Sequence, residues 1–424
     1  MLAVALSFLF FLFAGVPIAF VLGFSSLVYM LVNDNTLLLG SLAQRMVSSL
    51  QNYGLLAIPM FVLVGELMNA GGITTRLVHF AKVLLAHFRG GLAYVNVLAN
   101  MFLASILGSA NAQTAMMSKV MVPAMEKEGY RRDFSSALTV SSSLMGPIIP
   151  PSLMFIVYAV TAEVSVAKMF LGGILPGILL GLGFIVLIAI LSIKHNFPKS
   201  ARASLVEIGK SFITVAPALL IPAIILAGIL SGVFTATESS AIAVFVAFLV
   251  GKFFYKELNL KELPNILKQT AINTAIVTFM IAMASIFSWV LTFEKAPQMI
   301  AQYIASISDN PFIFLLLTNI LFLFIGMIID AIPALIIMIP VLLPAALHFG
   351  IDPIHFGMIA CINLTIGLVT PPVGTALFIA SAVGQVKIET LTRALIPFLI
   401  VAIVALMIIT YVPPITLWIP SMVD

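Results

Sequence analysis

The chain has 424 residues, 62% of them hydrophobic and 8% charged, with a formal net charge of +4 and a mean hydropathy of +1.21. A soluble globular domain carries about 25% charged residues, so the composition excludes one and places the chain in a bilayer. Long apolar runs without strand-like alternation point to helices rather than an outer-membrane barrel, and so small a charge leaves no footprint for a nucleic acid partner.

In chain order, residues 2–13 are apolar but short of the roughly 20 residues a span needs; they either fuse with the next segment into one long tilted helix or lean on a partner, and a separate span is favoured. The N-terminus has neither the basic region nor the small-residue cleavage site of a leader, so it is expected to be retained. Spans follow at 15–32, 53–70, 133–161, 168–193, 212–231, 234–252, 271–292, 355–384 and 391–416. Two stretches, 91–126 and 311–347, read as apolar arm, polar or Gly/Pro-containing tip, apolar arm, and are expected to be re-entrant hairpins. The less apolar segments 36–50, 73–89 and 295–308 are expected to be amphipathic helices in the interface. The single Cys361 allows no disulfide framework, and the histidines show no metal-ligand spacing.

The chain repeats itself. Pro123, Ala124, Gly129, Gly146, Pro150, Pro151, Ala159 and Pro176 recur 221 positions later as Pro344, Ala345, Gly350, Gly367, Pro371, Pro372, Ala380 and Pro397. Residues 1–195 and 205–424 are therefore two copies, each with a hairpin and a Gly/Pro-interrupted helix. Paired interruptions of this kind mark the binding site of a secondary transporter. With ten spans and an external N-terminus, the segments 73–90, 126–132, 194–210, 252–268 and 387–393 lie inside and hold 16 of the 20 Lys and Arg, as the positive-inside rule requires. Both termini are then external, and five spans per half make the repeats inverted.

The first tip, Gly108-Ser109-Ala110-Asn111-Ala112-Gln113, gathers hydroxyl and amide groups at bilayer depth, where polar groups need partners. The repeat pairs Ser109 with Asp330, either a binding group or a cap holding the second tip closed. Broken helices expose carbonyls at one half-helix end and N–H groups at the other, suiting cations and carboxylates. Symmetry proposes two Na+ cages: Ser105, Gly146, Ile149 and Ser152, and their counterparts Gly326, Gly367, Thr370 and Val373. Substrate is expected at Asp330, Ser109, Asn111, Gln113 and Ser152. Ser143 and Thr365 are either lining or helix-packing groups, whereas Glu66 and Glu238 are read as structural.

The first tip, the breaks Gly146-Pro147-Ile148-Ile149-Pro150-Pro151-Ser152 and Thr370-Pro371-Pro372-Val373-Gly374, and the element Thr235-Ala236-Thr237-Glu238 together resemble the large membrane subunit of tripartite ATP-independent periplasmic (TRAP) transporters. The resemblance covers nearly the whole chain and implies an all-helical ion-transporter elevator fold. In it the hairpins and broken helices move as one body past a scaffold of outer spans. It also implies Na+-coupled import of an organic acid across a bacterial inner membrane. The implied partners are a periplasmic binding protein and a separate, small four-helix membrane subunit. The chain looks most like the sialic-acid branch, though C4-dicarboxylate members share the break motifs. An intramembrane enzyme is disfavoured: Asp330 has no partner aspartate in a Gly-x-Gly-Asp element, and the zinc-protease His-Glu-x-x-His helix is missing. No P-loop offers direct coupling to ATP.

Overall fold

The structure, a computed structural model, describes residues 2–33, 36–195, 197–199, 202–299, 302 and 310–423. The first half runs through α1 (Leu2–Phe13), α2 (Ile18–Val32), α3 (Thr36–Leu50), α4 (Ala57–Ala70), α5 (Ile73–Leu85), α6 (Gly91–Leu107), α7 (Ala110–Lys127), α8 (Arg132–Ser142), α9 (Leu153–Thr161) and α10 (Val166–His195). The second half runs through α11 (Leu205–Leu230), α12 (Ala236–Leu249), α13 (Leu263–Phe293), α14 (Pro311–Ile328), α15 (Ala331–His348), α16 (Pro353–Gly367), α17 (Thr375–Gly384) and α18 (Ile388–Tyr411). Eight helices among the described residues are long and apolar enough to cross a membrane, α14 and α15 among them.

At several helix starts a side-chain oxygen accepts from a free backbone N–H group. Ser109 caps α7, Ser152 caps α9 and Asp330 caps α15. Ser204 with Glu207, and Thr235 with Glu238, form capping boxes. The first box begins α11 at Leu205, ahead of the 212 expected from hydrophobicity. Likewise α13 starts at Leu263 rather than 271, because Lys268 and Gln269 sustain a helix without being apolar. Gly15, at φ +76°, separates α1 from α2, and α1 folds back on α2. At 12 and 15 residues these helices measure about 18 and 22 Å, so neither alone spans a 30 Å core. The hairpin arms are 17 and 18 residues, longer than the 15 or so that sequence suggested. α3 fills 36–50 and α5 ends at Leu85 rather than 89, whereas most of 295–308 lies outside the described residues.

The helices pack as two groups. In the outer group α13 packs on α2, α3 and α4, α12 on α4 and α11, and α11 on α5. In the inner group the two hairpins pack on the two broken helices, and α10 and α18 join them: α18 packs on α8 and α10, and α10 on α6, α9 and α16. This corrects the expected division, which left α10 and α18 with the outer spans. Their exposed stripes, Leu182, Val186 and Ile190 on α10 and Ile396, Ile400, Val404 and Ile408 on α18, recur every four residues and suit hydrocarbon.

The basic segments meet at one end of the molecule. Arg76 pairs with Glu257 at 2.6 Å and Lys82 with Glu128 at 3.4 Å. The Gly90 N–H donates to the Pro198 carbonyl at 3.0 Å, and Arg132 Nε to the Gly384 carbonyl at 2.7 Å.

Candidate functional site

Each hairpin tip seats on the break of its own half. Gly108 ends α6 in the left-handed region, at φ +56°, where a side chain would be strained. A Cβ at Gly108 would stand 3.5 Å from the Leu153 nitrogen, at the start of α9. A Cβ at Gly146 would stand 3.4 Å from the Ser109 carbonyl carbon, placing the first break under the first tip. In the second half the fit is closer still, with a Cβ at Gly367 only 2.5 Å from the Gly326 carbonyl carbon. The Gly374 N–H also donates to the Met327 carbonyl at 3.0 Å.

The two tips meet. Asn111 Nδ2 donates to Asp330 Oδ1 at 3.4 Å, and Thr375 Oγ1 donates to Asn111 Oδ1 at 3.2 Å. Asp330 also accepts from the Ala331 N–H at 3.0 Å, so it caps α15 and faces the other tip at once. One asparagine thereby joins the first tip, the second tip and the second broken helix.

Buried amides brace both halves. Gln113 Nε2 donates to Asn100 Oδ1 at 2.7 Å, Asn100 Nδ2 to Asn96 Oδ1 at 2.8 Å, and Asn96 Nδ2 to Thr139 Oγ1 at 2.7 Å. In the second half Asn363 Nδ2 donates to Asn319 Oδ1 at 2.8 Å and Asn319 Nδ2 to Thr410 Oγ1 at 3.0 Å. Two amide oxygens at the ends of these chains, Gln113 Oε1 and Asn363 Oδ1, are buried without a protein donor. A Cβ at Gly146 would lie 2.6 Å from Gln113 Oε1, which sets that oxygen against the first break.

A cavity of about 700 Å³ opens between the two groups, walled by α4 and α13 on one side and α6 and α7 on the other. Ser109 and Asn111 line its inner end, and Lys119 lies farther along α7, toward the basic end of the molecule. Larger than the cleft around Arg131 and Arg393, it reaches the first tip, which that cleft does not.

The predicted site residues are therefore divided. Ser109 and Asn111 line the cavity; Asp330 does not line it, but accepts a hydrogen bond from Asn111, which does. Gln113 does not line it: its side chain is fully buried among the amides behind Gly146. Ser152 is also buried, donating Oγ to the Pro147 carbonyl at 2.6 Å. Of the proposed cages, Gly326 and Gly367 are in backbone contact. Thr370 Oγ1 donates to the Ile366 carbonyl at 2.8 Å and Ser105 Oγ to the Phe102 carbonyl at 2.8 Å. Ile149 packs its side chain on Gly177, leaving its backbone as the group available to a ligand, and Val373 is 38% exposed. Asn100, Asn319, Thr375 and Lys119 complete the arrangement without having been singled out as site residues. Among the described residues no cluster of three His, Cys, Asp or Glu could hold a metal.

Residues 5–415 match the family described as "Tripartite ATP-independent periplasmic transporter, DctM component". The chain is 38% identical over 411 residues to the sialic acid TRAP transporter large permease protein SiaM of Vibrio cholerae, covering 97% of this chain and 96% of that one. It is 39% identical over 381 residues to the C4-dicarboxylate TRAP transporter large permease protein DctM of Pseudomonas aeruginosa, covering 90% and 89%. Among solved structures, the Alcanivorax borkumensis YdaH transporter superposes with a TM-score of 0.68 at 13% identity, covering 88% of this chain and 87% of that one.

Proposed function

The chain belongs to the DctM family of TRAP transporter permeases for organic acids, and we propose that it imports sialic acid by coupling its entry to Na+. The observation that carries this reading is the cavity between the two helix groups, which reaches Ser109 and Asn111 and continues toward the basic end. By the positive-inside rule that end is cytoplasmic, so the cavity is an exit path and the conformation faces inward. The inner group then carries the tips across the bilayer past the outer group, with the repeats inverted and both termini periplasmic.

The residues present fit Na+. Gln113 Oε1 and Asn363 Oδ1 are buried oxygens in need of a positive partner. A bound Na+ would supply positive charge at the tips and link substrate entry to the ion gradient. Asp330 accepts hydrogen bonds from substrate hydroxyls or an amide, while the substrate carboxylate lies toward Ser109, Asn111 and the start of α7, where N–H donors converge. A hydroxylated acid uses the Asp330 acceptor better than a simple dicarboxylate does, which favours sialic acid over the C4-dicarboxylate alternative. A periplasmic binding protein delivers the acid and a separate small membrane subunit completes the permease. Uptake of sialic acid and succinate by proteoliposomes holding that complex tests the choice: Na+-driven uptake of sialic acid supports it, and uptake of succinate alone overturns it.

A further inference from the structure

Two ionisable side chains line the cavity among the described residues, Glu66 on α4 and Lys119 on α7. An ionisable group at membrane depth is costly and marks a pathway. Lys119 is exposed, and no described carboxylate lies within ion-pair distance of it. Asn111, Ala112, Ala115, Met116 and Lys119 follow one face of α7 into the cavity, so Lys119 lies about 15 Å beyond Ser109 along the helix. Glu66 occupies the opposite wall near the tip, because a Cβ at the adjacent Gly65 would meet the Ile106 carbonyl at 2.8 Å. Between them the walls are largely apolar, Ile276 and Val277 included, and low polarity strengthens whatever charged contact forms there.

We propose that Lys119 and Glu66 form a charge-asymmetric exit subsite, which accepts a monocarboxylate with a hydroxylated, uncharged remainder and disfavours a dicarboxylate. The ammonium offers three donors and no acceptor, so it takes the carboxylate as the acid leaves the tips. The Glu66 carboxylate offers acceptors only, so it receives hydroxyl donors and repels a second carboxylate. The charge arrangement selects for one acidic end, a property separate from the tip contacts.

This subsite rests on the organic-acid reading above, and the test separates the two. Proteoliposomes holding the large subunit with its small subunit are loaded with N-acetylneuraminate or succinate, and half-saturation is measured at the cytoplasmic face. Wild type should favour N-acetylneuraminate. Lys119→Gln should weaken it by about tenfold, the loss of one charged hydrogen bond, while Lys119→Arg retains it. Glu66→Gln should narrow the preference over succinate by about tenfold and reads the same subsite from the other wall should Lys119→Gln not fold. Absence of all organic-anion transport by wild type removes the reading and the subsite together. A transporting wild type whose Lys119→Gln and Glu66→Gln forms keep both half-saturation values removes the subsite alone.

Discussion

Asn111 Nδ2 at the first tip and Asp330 Oδ1 at the second lie 3.4 Å apart, so residues 219 positions apart in sequence join the two halves at their tips. The same asparagine accepts from Thr375, which ties the second broken helix to the contact.

Asp330→Ala should leave a folded, membrane-inserted protein, since Asp330 is exposed at the tip and its cap contributes only about 1 kcal/mol. Transport should fall at least about tenfold, because the acceptor proposed for the substrate is gone. Monodispersity in detergent and uptake in proteoliposomes check both halves of this expectation. Wild-type uptake would make Asp330 a cap and nothing more.

Gly367→Ala should destabilise the protein by about 1–3 kcal/mol and impair transport, because the added methyl meets the Gly326 backbone rather than a yielding side chain. Gly209→Ala is the control: nothing lies within 4 Å of its Cβ position inside α11, and alanine is the better helix former by about 1 kcal/mol. Thermal melting should separate the two variants, and equal melting temperatures would refute the close approach.

Gln113→Leu should cost about 1–3 kcal/mol by leaving Asn100 Oδ1 short of a buried donor. It should also reduce the stabilisation that added Na+ gives, since the amide oxygen beside Gly146 is removed. Melting curves across Na+ concentrations read both effects. An undiminished Na+ response would place the ion elsewhere.

Thr235→Ala removes one side of the capping box at the start of α12 and should cost about 1 kcal/mol while leaving substrate selectivity unchanged. A changed preference between sialic acid and succinate would show that this helix start serves the site and not merely the fold.

The repeat made the hairpins and breaks legible, because Gly and Pro are needed where helices break and so recur at 221-residue spacing. The tips were legible for the same reason: Ser109 and Asn111 are polar in an apolar stretch. The amide chains were not, since Asn363 and Asn319 meet across 44 positions and each alone reads as helix-packing glue. Lys119 was visible as a charge within a hairpin, yet only the placement of α7 across from α4 and α13 turns it toward a cavity. The start of α11 could have been found from the pattern Ser204-x-x-Glu207, which hydrophobicity does not register. Membership of α10 and α18 in the inner group follows from contacts within and between the halves, which hydrophobicity along the chain does not register.

The central claim is that the Na+ gradient drives import of the acid handed over by a binding protein. The most direct measurement is uptake of labelled sialic acid by proteoliposomes containing both membrane subunits, with substrate-loaded binding protein outside and no ATP. Inward Na+ should produce accumulation above the external concentration, and replacing Na+ with K+ or choline should abolish it. Accumulation that continues unchanged in K+ or choline would contradict the account.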